Sequence, residues 1–219
     1  MTLKALLFDA GDVLYHRPSR RAAIAAFLEE RGLTLRPADD PEALALKRQA
    51  HGGEISRDNF FDSMLSLYGL TDRSQFAEGR RVMDAAQIDV EFFDGVPETL
   101  HRPKKAGIKL GIVTNTHDSM KSKHQWFSKV GIDSLWDSFA TSCELRLCKP
   151  GPGIYLAALS PLDLYPQEAA FVGHAAAELA GAKSLGMTTV AFNGDNDSVT
   201  GDHVISEFAD LLGVVGVQA

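Results

Sequence analysis

Four short runs of apolar residues stand out along the chain. Each run is followed by a polar residue or ends near a glycine. Runs that are apolar at successive positions are typical of strands buried on both faces of a parallel sheet. Three of the runs follow segments with helical patterning, and this alternation predicts an α/β fold with a doubly wound, mostly parallel sheet. The predicted strands are residues 3–8, 108–113, 169–172 and 188–192, and the helices before the last three are residues 97–106, 153–159 and 175–185.

The long stretch between the first two predicted strands shows helical patterning instead. It predicts four helices, at residues 20–31, 41–50, 57–68 and 72–86. In the third, Phe60, Met64 and Leu67 form one apolar stripe at helical spacing. Because an ordinary crossover needs far fewer residues, residues 17–89 are predicted to be a helical domain inserted into a core of residues 1–16 and 90–219. Ligands of open α/β sheets bind outside the carboxyl ends of the strands, so we expect the insertion to overhang the site as a lid.

Composition narrows the class of protein. Hydrophobic residues make up 45% of the 219 positions, which is enough to bury a core. A formal net charge of −7 argues against a general nucleic-acid binder, because such proteins neutralise phosphates with basic residues. Cys143 and Cys148 cannot form a disulfide framework, and we see neither a signal-peptide core nor a run of membrane-spanning length. We therefore expect a cytoplasmic protein that binds neither nucleic acid nor a membrane.

Residues with chemical potential follow the predicted strands. Asp9 follows the first strand, Thr114 and Asn115 follow the second, and Lys149 lies just before a helix. His174 and Glu178 follow the third strand, four positions apart on the opening turn of a helix. Each residue taken alone has an ordinary role as a cap or a turn former. Together, a carboxylate, a hydroxyl and an ammonium group at one sheet edge suit an anionic substrate and a covalent carboxylate nucleophile.

The motifs that hold these residues also resemble those of a known family. The strings FDAGDVLY, GIKLGIVTN, LCKPGPGIYLAAL and AAFVGHAAAELAGAKSLGMTTVAF, in this order, resemble the haloacid dehalogenase superfamily over nearly the whole chain. The resemblance implies a Rossmann-like core, and it implies that the helical insertion is a C1-type cap. It also implies a small phosphorylated molecule as the binding partner.

The resemblance assigns roles to single residues. Asp9 matches the nucleophile that forms an aspartyl-phosphate, Thr114 the hydroxyl that binds the phosphoryl group, and Lys149 the lysine that balances their charges. Asn115 and the loop at Gly11 and Asp12 would contribute to substrate binding. A Mg²⁺ ion would be held by Asp9, by the backbone carbonyl of Gly11 and by acids after the third strand, where this chain has His174 and Glu178.

Two departures from the family pattern lie in the site itself. Gly11 replaces the second aspartate of D-x-D-G-T, which acts as the general acid and base and contributes roughly 10²- to 10⁴-fold. In the G-D-x-x-x-D motif, His174 and Glu178 replace the two metal-binding acids. Imidazole suits zinc, manganese or iron better than magnesium, so Mg²⁺, another divalent metal, or no metal all stay open.

Three functions remain open on the sequence. The favoured hypothesis is a phosphatase that acts on a small phosphomonoester through an aspartyl-phosphate. The alternatives are a catalytically impaired relative that binds or regulates, and, less favoured, a dehalogenase. Dehalogenases of this superfamily lack the second aspartate and need no metal, but they carry serine and asparagine where this chain has His174 and Ala175. The substrate and the oligomeric state cannot be read from the sequence.

Overall fold

The computed structural model describes residues 3–217. By its internal contacts the chain divides into two compact units, one comprising the chain up to His16 together with the chain from Phe92 onward, and the other Arg17–Glu91. The strands are β1 (Ala5–Phe8), β2 (Tyr15–His16), β3 (Glu91–Phe92), β4 (Lys109–Thr114), β5 (Ser138–Thr141), β6 (Ala169–Gly173), β7 (Thr188–Phe192) and β8 (His203–Ile205).

Ten α-helices and five short 3₁₀ helices lie among the described residues. The α-helices are α1 (Arg20–Glu29), α2 (Pro41–His51), α3 (Arg57–Leu67), α4 (Phe76–Ile88), α5 (Val96–Lys105), α6 (Met120–Ser128), α7 (Ser142–Leu145), α8 (Pro152–Leu159), α9 (Ala176–Ser184) and α10 (Leu211–Val214). The 3₁₀ helices are Arg73–Gln75, Asp133–Leu135, Ser160–Leu162, Pro166–Glu168 and Phe208–Asp210. None of the helices within residues 3–217 combines the length and the apolar character that a bilayer crossing requires.

The main sheet has six strands in the order β5-β4-β1-β6-β7-β8. Every neighbouring pair in this sheet is parallel, which confirms the predicted doubly wound α/β class. The four residues of β1 are fully buried between β4 and β6, as a run that is apolar at every position predicts. The chain order reverses on the two sides of β1, so this position is the topological switch point of the sheet. The carboxyl ends of β1, β4 and β6 meet there, and ligands of such sheets bind at this point.

The four predicted strands are present, with shifts of one or two residues at their ends. Two strands of the main sheet were missed, and both lie at its edges. Residues Ser138–Thr141 mix polar and apolar side chains, and His203–Ile205 is a three-residue strand. Edge strands are often short and only partly apolar, so they lack the continuous apolar run on which the prediction relied. The two-residue strands β2 and β3, which pair with each other, were also missed.

The unit Arg17–Glu91 is helical, with α1–α4 around an apolar core of its own. Phe60 and Met64 of the predicted stripe are both buried in that core. Helix α2 begins where Asp40 accepts hydrogen bonds from the backbone N–H groups of Glu42 and Ala43. The helix predicted at residues 72–86 is shorter at its start, because Arg73–Gln75 forms a 3₁₀ turn before α4.

Gly181 allows helix α9 to pack closely on the residue that follows Lys149. A Cβ atom at Gly181 would come 2.9 Å from Cβ of Pro150 and still closer to its carbonyl oxygen. We expect Gly181→Ala to lower the free energy of unfolding by about 1–3 kcal/mol, the usual cost of overpacking. Chemical denaturation measures this change.

Gly213→Ala is the matched control. Gly213 lies in α10, and a Cβ atom there would have no neighbour within 4 Å. Alanine is the better helix former, so this variant should be neutral or more stable by up to about 1 kcal/mol. Equal unfolding free energies for the two variants would contradict the packing argument.

Candidate functional site

The site lies at the carboxyl edge of the main sheet, where three neighbouring strands end. Asp9 directly follows β1, Thr114 is the last residue of β4, and His174 directly follows β6. Asp9 and Thr114 are buried, with 6% and 2% of their surface exposed. The pairing of β1 with both β4 and β6 therefore brings together residues that are more than a hundred positions apart in the chain.

A buried ammonium group lies between two carboxylates. The Nζ atom of Lys149 is 2.7 Å from Oδ2 of Asp9 and 2.7 Å from Oε2 of Glu178. The Lys149 side chain is fully buried, and those of Asp9 and Glu178 are 9% and 15% exposed. The contacts to Nζ lack the angles of hydrogen bonds, so we describe them as ion pairs. At these separations and this burial, the attraction is much stronger than between surface charges.

Neighbouring groups hold Lys149 in place. The amide of Asn115 donates to the carbonyl oxygen of Lys149 at 3.0 Å, and the N–H of Lys149 donates back to Oδ1 of Asn115 at 2.9 Å. The hydroxyl of Tyr155 donates to the carbonyl oxygen of Glu178 at 2.7 Å. The amide of Asn115 thus positions the backbone of Lys149, and its role in substrate binding stays a prediction.

His174 contributes a second cationic group to Asp9. Its Nε2 atom is 3.4 Å from Oδ2 of Asp9, and its Nδ1 atom is 2.7 Å from Oδ1 of Asp195. The backbone N–H of Asp195 also donates to the carbonyl oxygen of His174 at 3.1 Å. Asp195 is not among the candidates from the sequence, because it lies in a segment rich in Gly, Asn and Asp, residues that are typical of surface turns. The signal was its position: it follows β7, whose carboxyl end lies at the same sheet edge.

These contacts set the charges of the site. Burial opposes ionisation of Asp9, but Lys149 and His174 outweigh it and hold the pKa of Asp9 well below its ordinary value. Burial also acts against a charged His174, yet Asp9 and Asp195 raise its pKa to about 9. Burial raises the pKa of Glu178, with Lys149 opposing and Asp9 adding to the effect. At neutral pH, Asp9 is thus an ionised carboxylate with a cationic group on two sides.

The loop after Asp9 differs from the expected anion-binding loop. The N–H of Ala10 donates to Oδ1 of Asp9 at 2.7 Å, and the N–H of Asp12 donates to the carbonyl oxygen of Tyr15 at 2.8 Å. The side chain of Asp12 is exposed, and Gly11 forms an isolated bridge with Tyr15. The loop folds back toward β2, so its N–H groups at positions 10 and 12 already have acceptors within the protein.

The residues at the expected magnesium site do not fit that ion. Mg²⁺ requires near-octahedral oxygen ligands, whereas the side chains here are the carboxylates of Asp9 and Glu178, both in contact with Lys149, and an imidazole that lies between Asp9 and one further carboxylate. Within residues 3–217, no three side chains of His, Cys, Asp or Glu converge as a ligand set.

Similarity to known proteins covers nearly the whole chain. (S)-2-haloacid dehalogenase 4A of Burkholderia cepacia is 33% identical over 129 residues, which are 59% of this chain and 54% of that protein, so the match spans about half of that relative. Glyceraldehyde 3-phosphate phosphatase of Methanopyrus kandleri is 28% identical over 97% of both chains. The crystal structure of a predicted phosphoglycolate phosphatase from Haemophilus somnus 129pt shares the fold, with a TM-score of 0.72 at 23% identity over 98% of both chains.

A family model assigns the chain to a family. The model for a haloacid dehalogenase-like hydrolase matches residues 3–186, a range that contains Asp9, Thr114, Lys149 and Glu178. Three of the four strings that carried the resemblance lie inside the matched range, and the fourth, at residues 169–192, lies mostly inside it. The chain belongs to the haloacid dehalogenase-like hydrolases.

Proposed function

We propose that this chain is a phosphatase that hydrolyses a small phosphomonoester through a covalent intermediate on Asp9. The observation that carries the proposal is the buried, ionised carboxylate of Asp9 with the ammonium group of Lys149 at 2.7 Å. A relative that matches over its whole length is named as a glyceraldehyde 3-phosphate phosphatase, which supports a phosphorylated substrate. We also propose that residues 17–89 serve as a C1-type cap, and that Thr114 binds the phosphoryl group.

The reaction has two displacements. A carboxylate oxygen of Asp9 bonds to phosphorus while the bond to the ester oxygen breaks, and the leaving oxygen takes up a proton to become an alcohol. Water then attacks the aspartyl-phosphate, which releases phosphate and regenerates the carboxylate of Asp9. The low pKa of Asp9 keeps the nucleophile ionised, and the Lys149 ammonium group stabilises the charge that develops on the transferred group.

Gly11 restricts the substrates that this site can turn over quickly. The family's phosphatases usually have a proton-donating aspartate there, and general acid catalysis contributes roughly 10²- to 10⁴-fold. Without it, the rate should depend steeply on the basicity of the leaving oxygen. We therefore expect aryl phosphates and other esters of acidic alcohols to react faster than simple alkyl phosphates.

Magnesium is the cofactor that the resemblance implies, since phosphatases of this family generally use it. Asp9, the backbone carbonyl of Gly11, His174 and Glu178 are the groups that would hold the ion, and it would supply positive charge to the transferred phosphoryl group. The donor set around Asp9 does not favour it, for the reasons given above.

A second candidate is a hydrolase that displaces halide from a 2-haloacid. In that reaction Asp9 would attack carbon, and halide leaves without a proton, so neither an acid at position 11 nor a metal is required. The match to (S)-2-haloacid dehalogenase 4A favours this candidate. The His174-Ala175 pair, in place of the expected serine and asparagine, argues against it.

The nucleophile can be tested with Asp9→Asn. This variant should lose on the order of 10⁴-fold or more of the activity, because an amide oxygen cannot replace the attacking carboxylate. Phosphate release from a panel of aryl and alkyl phosphates, and halide release from 2-haloacids, measure the loss and choose between the two candidates. Acid-quenched wild-type protein should carry a phosphoryl group on the peptide that contains Asp9.

Asp39→Asn is the matched control, since Asp39 is exposed in the other unit, and it should keep wild-type rates. Release of neither phosphate nor halide by the folded wild-type protein would refute both candidates. It would favour the third hypothesis, a catalytically impaired relative.

Lys149→Met tests the buried ion pairs. The variant leaves two buried carboxylates without their cation, so we expect a loss of about 3–5 kcal/mol in the free energy of unfolding, together with loss of activity. Adding Glu178→Gln should restore part of the stability but not the activity. Urea denaturation and the phosphate assay measure the two effects.

Lys183→Met gives the surface comparison. Lys183 is also 2.7 Å from a carboxylate, that of Asp202, but the two side chains are 61% and 37% exposed. Exposed pairs contribute about 0–1 kcal/mol, so this variant should lose far less stability than Lys149→Met. Similar losses in the two variants would show that burial of the Lys149 ion pairs adds nothing to the free energy of unfolding.

A further inference from the structure

The contacts of His174 differ from those of a metal ligand, and they lead to an inference about how the site is charged. We propose that the imidazole of His174, clamped by Asp195, replaces the divalent cation beside Asp9, so that this chain works without a bound metal. The inference rests on the proposed function for its consequence in turnover. Its structural part concerns metal binding alone and can be tested separately.

Both nitrogens of the His174 ring face carboxylate oxygens. Nδ1 is 2.7 Å from Oδ1 of Asp195, and Nε2 is 3.4 Å from Oδ2 of Asp9. A carboxylate accepts hydrogen bonds and does not donate them, so a ring between two carboxylates is fully satisfied when both nitrogens carry hydrogen. In that form the ring has no lone pair for a metal and carries the positive charge that the metal would supply.

The loop after β7 fixes the ring in this orientation. Asp195 accepts a hydrogen bond through its side chain and donates one through its backbone N–H, the latter to the carbonyl oxygen of His174. Two positions earlier, the amide of Asn193 donates to the carbonyl oxygen of Asp12 at 2.8 Å. The loop is thus tied to the segments that follow β1 and β6, and the imidazole is held toward Asp9.

The carboxylate oxygens of Asp9 and Glu178, which a metal would use, already have partners. Oδ1 of Asp9 accepts the N–H of Ala10, and Oδ2 contacts both Lys149 and His174. Oε2 of Glu178 contacts Lys149, and Oε1 accepts a hydrogen bond from Asn115 at 3.4 Å. To bind here, Mg²⁺ would have to displace the cationic groups of Lys149 and His174. It would gain two protein carboxylates, which compensate poorly for the bound water that this hard ion gives up reluctantly.

Calorimetric titration of metal into the protein, without substrate, is the direct test. Mg²⁺, Mn²⁺ and Zn²⁺ are titrated into chelator-treated wild type, Asp9→Asn, His174→Asp, His174→Gln, and the double variant His174→Asp with Asp9→Asn. The wild type should show no metal binding that depends on Asp9 or His174. His174→Asp restores a third carboxylate and should bind Mg²⁺ about tenfold or more tightly than wild type, and the double variant should lose that gain.

Three outcomes would overturn the proposal. One is Mg²⁺ binding by the wild type that disappears in Asp9→Asn. Another is Zn²⁺ or Mn²⁺ binding that disappears in His174→Gln, because the ring would then be a ligand with Asp195 behind it. The third is a folded His174→Asp variant whose Mg²⁺ affinity equals that of the wild type.

Nitrogen NMR of the histidine ring tests the role of Asp195. In the wild type at neutral pH, both ring nitrogens of His174, assigned by comparison with His174→Gln, should show the shifts of protonated nitrogens. Asp195→Asn keeps the backbone clamp but removes the carboxylate, so the Nδ1 shift should move, and unchanged shifts would overturn the role of Asp195. Phosphate release that survives chelator treatment would support metal-free turnover, whereas absence of any release would refute the proposed function and leave the metal titrations valid.

Discussion

A nucleophilic carboxylate buried at the end of a strand requires a cation within contact distance, and the rest of this site depends on that requirement. Removing a carboxylate from water disfavours its ionised form, so Asp9 without a partner would take up a proton and could not act as the proposed nucleophile. Lys149 supplies the charge at 2.7 Å with its side chain fully buried. The carboxylate of Glu178, which also contacts Nζ of Lys149, balances the positive charge of the ammonium group.

The fold places these groups by means of its parallel sheet. Loops that follow β1, β4, β6 and β7 all lie at one edge, and hydrogen bonds between them hold the polar residues in place. Asn115 fixes the backbone of Lys149, and Asp195 fixes His174. Each partner comes from a different loop, so the charge arrangement is a property of the whole sheet edge. Small residues at close contacts, such as Gly181 against Pro150, allow this packing.

The same charge arrangement can serve two related displacements. Attack of Asp9 on phosphorus and attack on carbon both need an ionised carboxylate and a cationic environment for the substrate. The reactions differ in the leaving group, since an alkoxide needs a proton and a halide does not. Gly11 removes the usual proton donor, and His174 replaces an oxygen ligand of the metal. Both departures therefore affect groups that phosphatases of this family use and that dehalogenases do not need.

The amino-acid sequence alone determined the α/β class, the central strands, the helical insertion and the main candidates Asp9 and Lys149. Continuous apolar runs identify buried strands, and the motifs place Asp9 and Lys149 near strand ends. Short edge strands such as Ser138–Thr141 were missed, because their sequences hold too few consecutive apolar residues. The partner of His174 could not be read either: Asp195 lies 21 positions away in a loop of turn residues. Whether an imidazole binds a metal or pairs with carboxylates depends on which atoms face its two nitrogens, and tertiary structure alone decides that.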